Sequence, residues 1–168
     1  MFVIGEYVIH ANNGICQVRE VTQLNPTGSK KDYYLLVPLG EKGSKIYTPV
    51  SNDNVAVRRV MTEEEAWELI DDIPNIDELW VDNDKIREAR YKESVRSSDC
   101  RELVKIIKAL YFRKQRRLSE GKKSTATDDK YFKIAEENLY SELTFAIGKE
   151  KDDMKELIAD RIGELVES

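Results

Sequence analysis

The side chains of this chain with the clearest chemical potential are cations. Arg113, Lys114, Arg116 and Arg117 crowd one short stretch and Lys122 and Lys123 follow, so six of the eleven residues from 113 to 123 are basic. One or two such charges at the end of a helix complement its dipole. Six repel one another, and the anion suited to a row of guanidinium and ammonium groups is a phosphate backbone. Arg87, Arg90 and Lys92 extend the series upstream. A merely solvated charged face is the plain structural alternative and stays open. No zinc finger or recognition-helix pattern accompanies the charges, so contacts to duplex DNA are expected to follow backbone and shape, largely indifferent to base sequence. Four phosphate contacts would give a log–log salt slope of roughly −3 to −4. Replacing Arg113 and Arg117 together by Glu is expected to weaken DNA binding without unfolding the domain.

Other chemistries find little support. There is no GxSxG elbow, Walker loop, HExxH pair or glycine-rich dinucleotide fingerprint. His10 is the single histidine and has no Ser, Cys or acid beside it in sequence, whereas imidazole catalysis needs an oriented partner. A hydrolase built on His10 and acids arriving in space is the weaker alternative. The pairs Asp128-Asp129 and Asp152-Asp153 suit helix N-termini, and Asp71-Asp72 lies beside a proline stop. Cys16 and Cys100 have no CxxC partner, and structural zinc needs about four Cys or His ligands, so two reduced, part-buried thiols are expected. The expectation is a protein that is not an enzyme, with no metal, no cofactor and no small-molecule substrate.

The elements that must position these cations differ along the chain. Net charge is −5 over 168 residues. From Lys85 to Lys123, however, fourteen Lys and Arg face five acids, a net +9 that leaves −14 for the rest. Local field, not the average, is what a phosphate senses. The first sixty residues read as five short strands, at 6–10, 14–24, 32–39, 44–50 and 54–60, rich in Val, Ile and Tyr. Turn clusters at 12–14, 25–29, 40–43 and 51–54 separate them, which suggests a small, strongly bent sheet or barrel. Pro49 marks a strand end or an edge. The first 84 residues hold seven basic and fifteen acidic side chains, so this part suits a protein partner, through a free sheet edge, better than nucleic acid. Tyr33, Tyr34 and Tyr47 are core or contact residues, with alternation putting at least one in the core.

At Thr62 the period turns helical. Thr62 and Glu65 form a capping box ahead of Ala66, Leu69 and Ile70, and Pro74 ends the helix. Residues 61–83 are read as this helix and a linker, with the boundary near 73–83 or slightly earlier. Asp84 is expected to cap a helix over 86–97, and Asp99 with Glu102 to open a second that Gly121 stops. Thr127 or Asp128 starts a third, ending at Gly148, and a fourth carries Met154, Leu157, Ile158, Ile162 and Leu165. Residues 84–168 thus form a compact all-α domain and the chain is α+β, in two domains. No apolar run nears the roughly 20 residues of a membrane span and the start lacks a secretory pattern, so a cytoplasmic protein with no membrane contact is expected.

The order of several stretches is distinctive. Phe2 to His10, Gly14-Ile15, Asp32 to Leu36 and Lys45 to Val50 resemble the polymerase-interacting domain of the CarD (CdnL) family, a module shared with the transcription-repair coupling factor. Arg90 to Glu93, Leu110 to Gln115, Leu118 to Lys123 and Ala135 to Leu139 look like the same family's C-terminal domain. The resemblance implies a bacterial, nucleoid-associated transcription regulator. Its N-terminal domain would be a Tudor-like (SH3-like) β-barrel bound to the β subunit of RNA polymerase. Its helical domain would lie on promoter DNA at the upstream edge of the bubble, stabilising the open complex. Family basic contacts map to Arg90, Lys92 and Lys123. The family's tryptophan wedge, four residues before Tyr91, is replaced by Arg87, so the wedge is Trp80, Ile86 or absent. Trp80 has a second reading, as a packing residue anchoring the linker, and Trp67 reads as interdomain or core packing. The family's polymerase-facing arginines fall near Leu24 and Tyr47, which marks Gln23, Leu24, Lys45 and Tyr47 as the polymerase contacts. A protein–protein adaptor whose basic helices bind an acidic partner is the alternative.

Overall fold

The computed structural model describes residues 2–10, 13–24, 31–40, 43–50, 57–81 and 83–163, the side chains at 24 and 31 excepted. The turns expected at 25–29 and 51–54, parts of those at 12–14 and 40–43, and Leu165 lie outside the described residues. The chain divides into two compact units, Met1–Val60 and Met61–Ser168.

In the first unit the runs of β-branched and aromatic residues form strands β1 (Tyr7–His10), β2 (Gly14–Leu24), β3 (Lys31–Pro38), β4 (Ile46–Pro49) and β5 (Val57–Arg59). They make one antiparallel sheet in the order β4-β3-β2-β1-β5. Among the described residues β4 and β5 are its edges, and no ladder joins them. Pro49 ends β4, where its missing N–H costs no inner hydrogen bond. Val8, Cys16, Val18, Tyr34 and Leu36 form the core. The alternation of β2 falters after Val18 for a visible reason. Val18 pairs with Leu36 and Glu20 with Leu35, so Arg19 is the extra residue of a bulge that bends the strand. Ahead of β1, the Glu6 N–H donates to the Val3 carbonyl at 3.1 Å in a turn whose third residue, Gly5, has φ +92°. That left-handed conformation suits glycine.

In the second unit the helices are α1 (Glu63–Asp72), α2 (Asp84–Arg96), α3 (Cys100–Ser119), α4 (Ala126–Ile147) and α5 (Lys151–Gly163), with a 3₁₀ turn at Ile73–Asn75 after α1. The Thr62 capping box is complete: Thr62 Oγ1 accepts from the Glu65 N–H at 3.1 Å and Glu65 Oε1 from the Thr62 N–H at 3.0 Å. Such a cap contributes about 1 kcal/mol. Gly121 and Gly148, at φ +76° and +83°, end α3 and α4.

Three local expectations are corrected. Asn83, extended at φ −155°, caps α2, and Asp84 is the first helical residue. Thr125 caps α4, which leaves Asp128 inside the first turn. The stretch 73–81 is no linker, because Ile73, Ile76 and Leu79 lie in the same core as Ala66, Leu69, Ile70, Leu103, Ile106, Leu139 and Ile158. Buried Lys108 secures that segment, its Nζ donating to the carbonyls of Ile73 and Ile76. Buried Glu142 does the same at the start of the unit, accepting from the Met61 N–H at 2.9 Å and from Cys100 Sγ at 3.1 Å. A piece beginning at Asp84 would expose this core.

Candidate nucleic-acid interface

Two of the expected phosphate-binding arginines are built into the helical unit rather than left free. Tyr91 is buried, its ring 5.6 Å from that of Tyr131, and its hydroxyl donates to Asp128 Oδ1 at 3.2 Å. Arg87, one turn earlier on α2, donates to that hydroxyl at 3.3 Å. Arg113 on α3 donates from Nε to Asp128 Oδ2 at 2.7 Å. Both arginine side chains are only one-fifth exposed, at 21% and 20%. On the outer side they share one carboxylate: Asp84 Oδ1 lies 2.9 Å from Arg87 Nε and 3.8 Å from Arg113. These guanidinium groups hold the Asp84 carboxyl below the usual carboxylate range, Arg87 first through its hydrogen bond, with the charges of Arg113 and Arg117 adding to it. Burial pushes the Tyr91 hydroxyl up.

Arg117 is also half-buried and donates to the Lys123 carbonyl at 2.8 Å, tying the end of α3 to the following turn. Of the expected DNA contacts, the exposed ones are Lys114, Arg116, Lys122 and Lys123 around that turn, and Arg90 and Lys92 on α2. At 100° per residue, Arg116, Arg113, Arg117 and Lys114 fall within an arc of roughly 160° on α3. Arg90 stands one turn from Arg87 and pairs loosely with Glu93 at 3.7 Å, as Lys122 does with Glu120. Lys92 is not brought to this side: it lies about 140° round α2 from Arg87 and pairs with Glu88 at 3.8 Å. The wider cation count also shrinks, since Arg101 pairs with Asp72 at 2.6 Å, Lys105 with Glu102 at 3.1 Å, and Lys108 is buried.

Trp80 is 73% exposed, which excludes its reading as a packing anchor. Its neighbours are what anchor the segment: Leu79 is buried and donates its N–H to the Lys105 carbonyl at 3.1 Å, and Val81 packs on the core. Ile86 is exposed on the first turn of α2. Trp67 is partly buried against the helical core, with the Lys149 ammonium 5.9 Å from its ring centre.

The residues expected to meet polymerase do not share one face. Tyr47 is 45% exposed on edge strand β4, opposite Leu35, which pairs in turn with Glu20. Gln23 stands three residues beyond Glu20, so the pleat turns it to the opposite face, where its amide donates to Asp32 at 3.3 Å. Lys45 is exposed just before β4, and the Leu24 side chain lies outside the described residues. Tyr34 is the core tyrosine, its hydroxyl accepting from the Phe2 N–H at 3.0 Å. His10 Nδ1 lies 3.0 Å from the Asn13 amide nitrogen.

Asp84 and Asp128 are the functional residues that sequence reasoning missed. Both sit in first helical turns, where an acid already has a local explanation. The only further signal was the excess of arginine at 87 and 113.

Residues 2–61 match the model of the CarD-like/TRCF RID domain. No curated protein matches the chain. Among the described residues, no helix is long and apolar enough to cross a membrane.

Proposed function

We propose that this chain is a bacterial transcription regulator that binds the RNA polymerase β subunit through its first unit and promoter DNA through its second. The β4 edge, with Lys45 and Tyr47, adds to a strand of the β subunit; main-chain hydrogen bonds supply affinity. The curvature made by the Arg19 bulge fits a Tudor-like barrel. The helical unit rests on duplex DNA at the upstream edge of the melted region and changes the lifetime of the open complex. It does so by binding alone, with no cofactor and no reaction of its own, in the cytoplasm.

The observation that carries the DNA half is the convergence of Arg87, Arg113 and Arg117 beside exposed Lys114, Arg116, Lys122 and Lys123. Trp80, held outward by a segment pinned on both sides, is the side chain suited to a wedge that unstacks a base step.

The test is titration of the full chain with a fluorescent duplex over a series of salt concentrations, beside capture of purified polymerase. Micromolar binding with a slope of roughly −3 or steeper supports the reading. Polymerase capture without duplex binding at low salt transfers it to an adaptor whose cations meet an acidic protein.

A further inference from the structure

The Asp84 carboxylate is 83% exposed, yet it sits on the outward side of two guanidinium groups that are themselves largely covered. Arg87 and Arg113 are locked from behind by the buried Tyr91–Asp128 pair. Arg113 is thereby held with or without Asp84, and Arg87 keeps its bond to the Tyr91 hydroxyl when Asp84 is replaced. Asp128 neutralises one of the two charges, and without Asp84 an unbalanced positive charge, reinforced by Arg117, would face solvent. A pre-positioned pair of guanidinium groups suits any oxyanion, carboxylate or phosphate, because the donor geometry is the same. An exposed carboxylate gives up little when another oxyanion replaces it, since it is hydrated in either state.

We propose that Asp84 is a built-in phosphate mimic. It occupies an anion site formed by Arg87 and Arg113, with Arg117 alongside, and a phosphate of the DNA backbone takes its place on binding. This rests on the DNA-binding reading given above and adds a restraint to it: the free protein keeps its best-ordered phosphate site satisfied, so binding to stray duplex is weakened. Where polymerase holds the helical unit near DNA, the raised effective concentration of phosphate favours the exchange.

The experiment compares full-length wild type with Asp84→Ala, Asp84→Asn and, as a control, Glu120→Gln. Glu120 is an exposed acid beside Lys122 in the same basic segment, so the control changes the net charge near the DNA without touching the arginine pair. Duplex affinity is measured at low salt, and thermal melting confirms folding. In parallel, inorganic phosphate is titrated while the Nε signals of Arg87 and Arg113 are followed by NMR. The expected result is a gain of about tenfold in duplex affinity for Asp84→Ala, the scale of one charge-assisted contact, and twofold to threefold at most for Glu120→Gln. Phosphate should perturb the two arginine signals at about tenfold lower concentration in Asp84→Ala than in wild type. Equal gains for Asp84→Ala and Glu120→Gln would overturn the proposal. If no variant binds duplex, the DNA reading falls, and the phosphate titration still decides whether Asp84 guards an anion site: unchanged arginine signals would end it.

Discussion

Arg113 Nε lies 2.7 Å from Asp128 Oδ2, a part-buried guanidinium donating to a buried carboxylate across the α3–α4 pair. The contact makes Arg113 a structural residue as well as a cation. Replacing it with Glu sets two carboxylates against each other, and even Ala leaves Asp128 short of its strongest partner. The double replacement at 113 and 117, expected from sequence to spare the fold, is therefore expected to destabilise it. Arg113→Ala is expected to cost about 2–4 kcal/mol, measured by urea unfolding. A loss under about 0.5 kcal/mol, the range of ordinary surface changes, would contradict it.

Lys114 and Arg116 are the cleaner probes of the DNA surface, because both are exposed. Lys114→Glu with Arg116→Glu should leave the melting temperature unchanged and weaken duplex binding at every base sequence. If both side chains meet phosphates, the salt slope flattens by about 1.8. An unaltered slope would move the phosphate contacts elsewhere.

Trp80 tests the wedge. With 73% of its surface in solvent, Trp80→Ala should change stability by less than about 0.5 kcal/mol. The lifetime of a competitor-challenged open complex should shorten several-fold, while polymerase capture stays as in wild type. If the lifetime holds, Trp80 is no wedge, and Ile86→Ala becomes the next variant to examine.

His10 sets a mild acid sensitivity. Burial lowers its pKa below the ordinary 6.5, so the unfolded chain takes up its proton first as pH falls. Between the two values the unfolded state binds more protons, so stability is full well above the ordinary 6.5 and declines as pH falls below it. Protonation at Nδ1 also opposes the contact with the Asn13 amide nitrogen. His10→Gln should flatten the melting temperature from pH 7 to 5.5, and parallel curves for the two proteins would refute this.

Much of the fold was legible because its signals are local. Thr62 and Glu65 are three residues apart and satisfy each other's N–H groups, so the pattern alone reports the helix start. The strand runs and the glycine stops at 121 and 148 are equally short-range. The run at 14–24 was legible as one strand, but the extra residue at Arg19 that bends it needed β3 alongside. The extent of the helical unit was misjudged for the same reason. Residues 73–83 carry little helical periodicity, and only the buried Lys108 and the core beneath Ile76 and Leu79 make them part of that unit.

Residue types and short spacings by themselves determined the strand-then-helix order, most helix ends, and the concentration of positive charge between 85 and 123. Tertiary structure alone decided which cations remain available. Arg113 looks like Lys114 and Arg116 in sequence, but its partners Asp128 and Asp84 come from α4 and α2, and Asp128 also holds the Tyr91 hydroxyl that Arg87 meets. Charge is a property of composition, whereas the availability of a charge depends on what packing brings within about 4 Å of it.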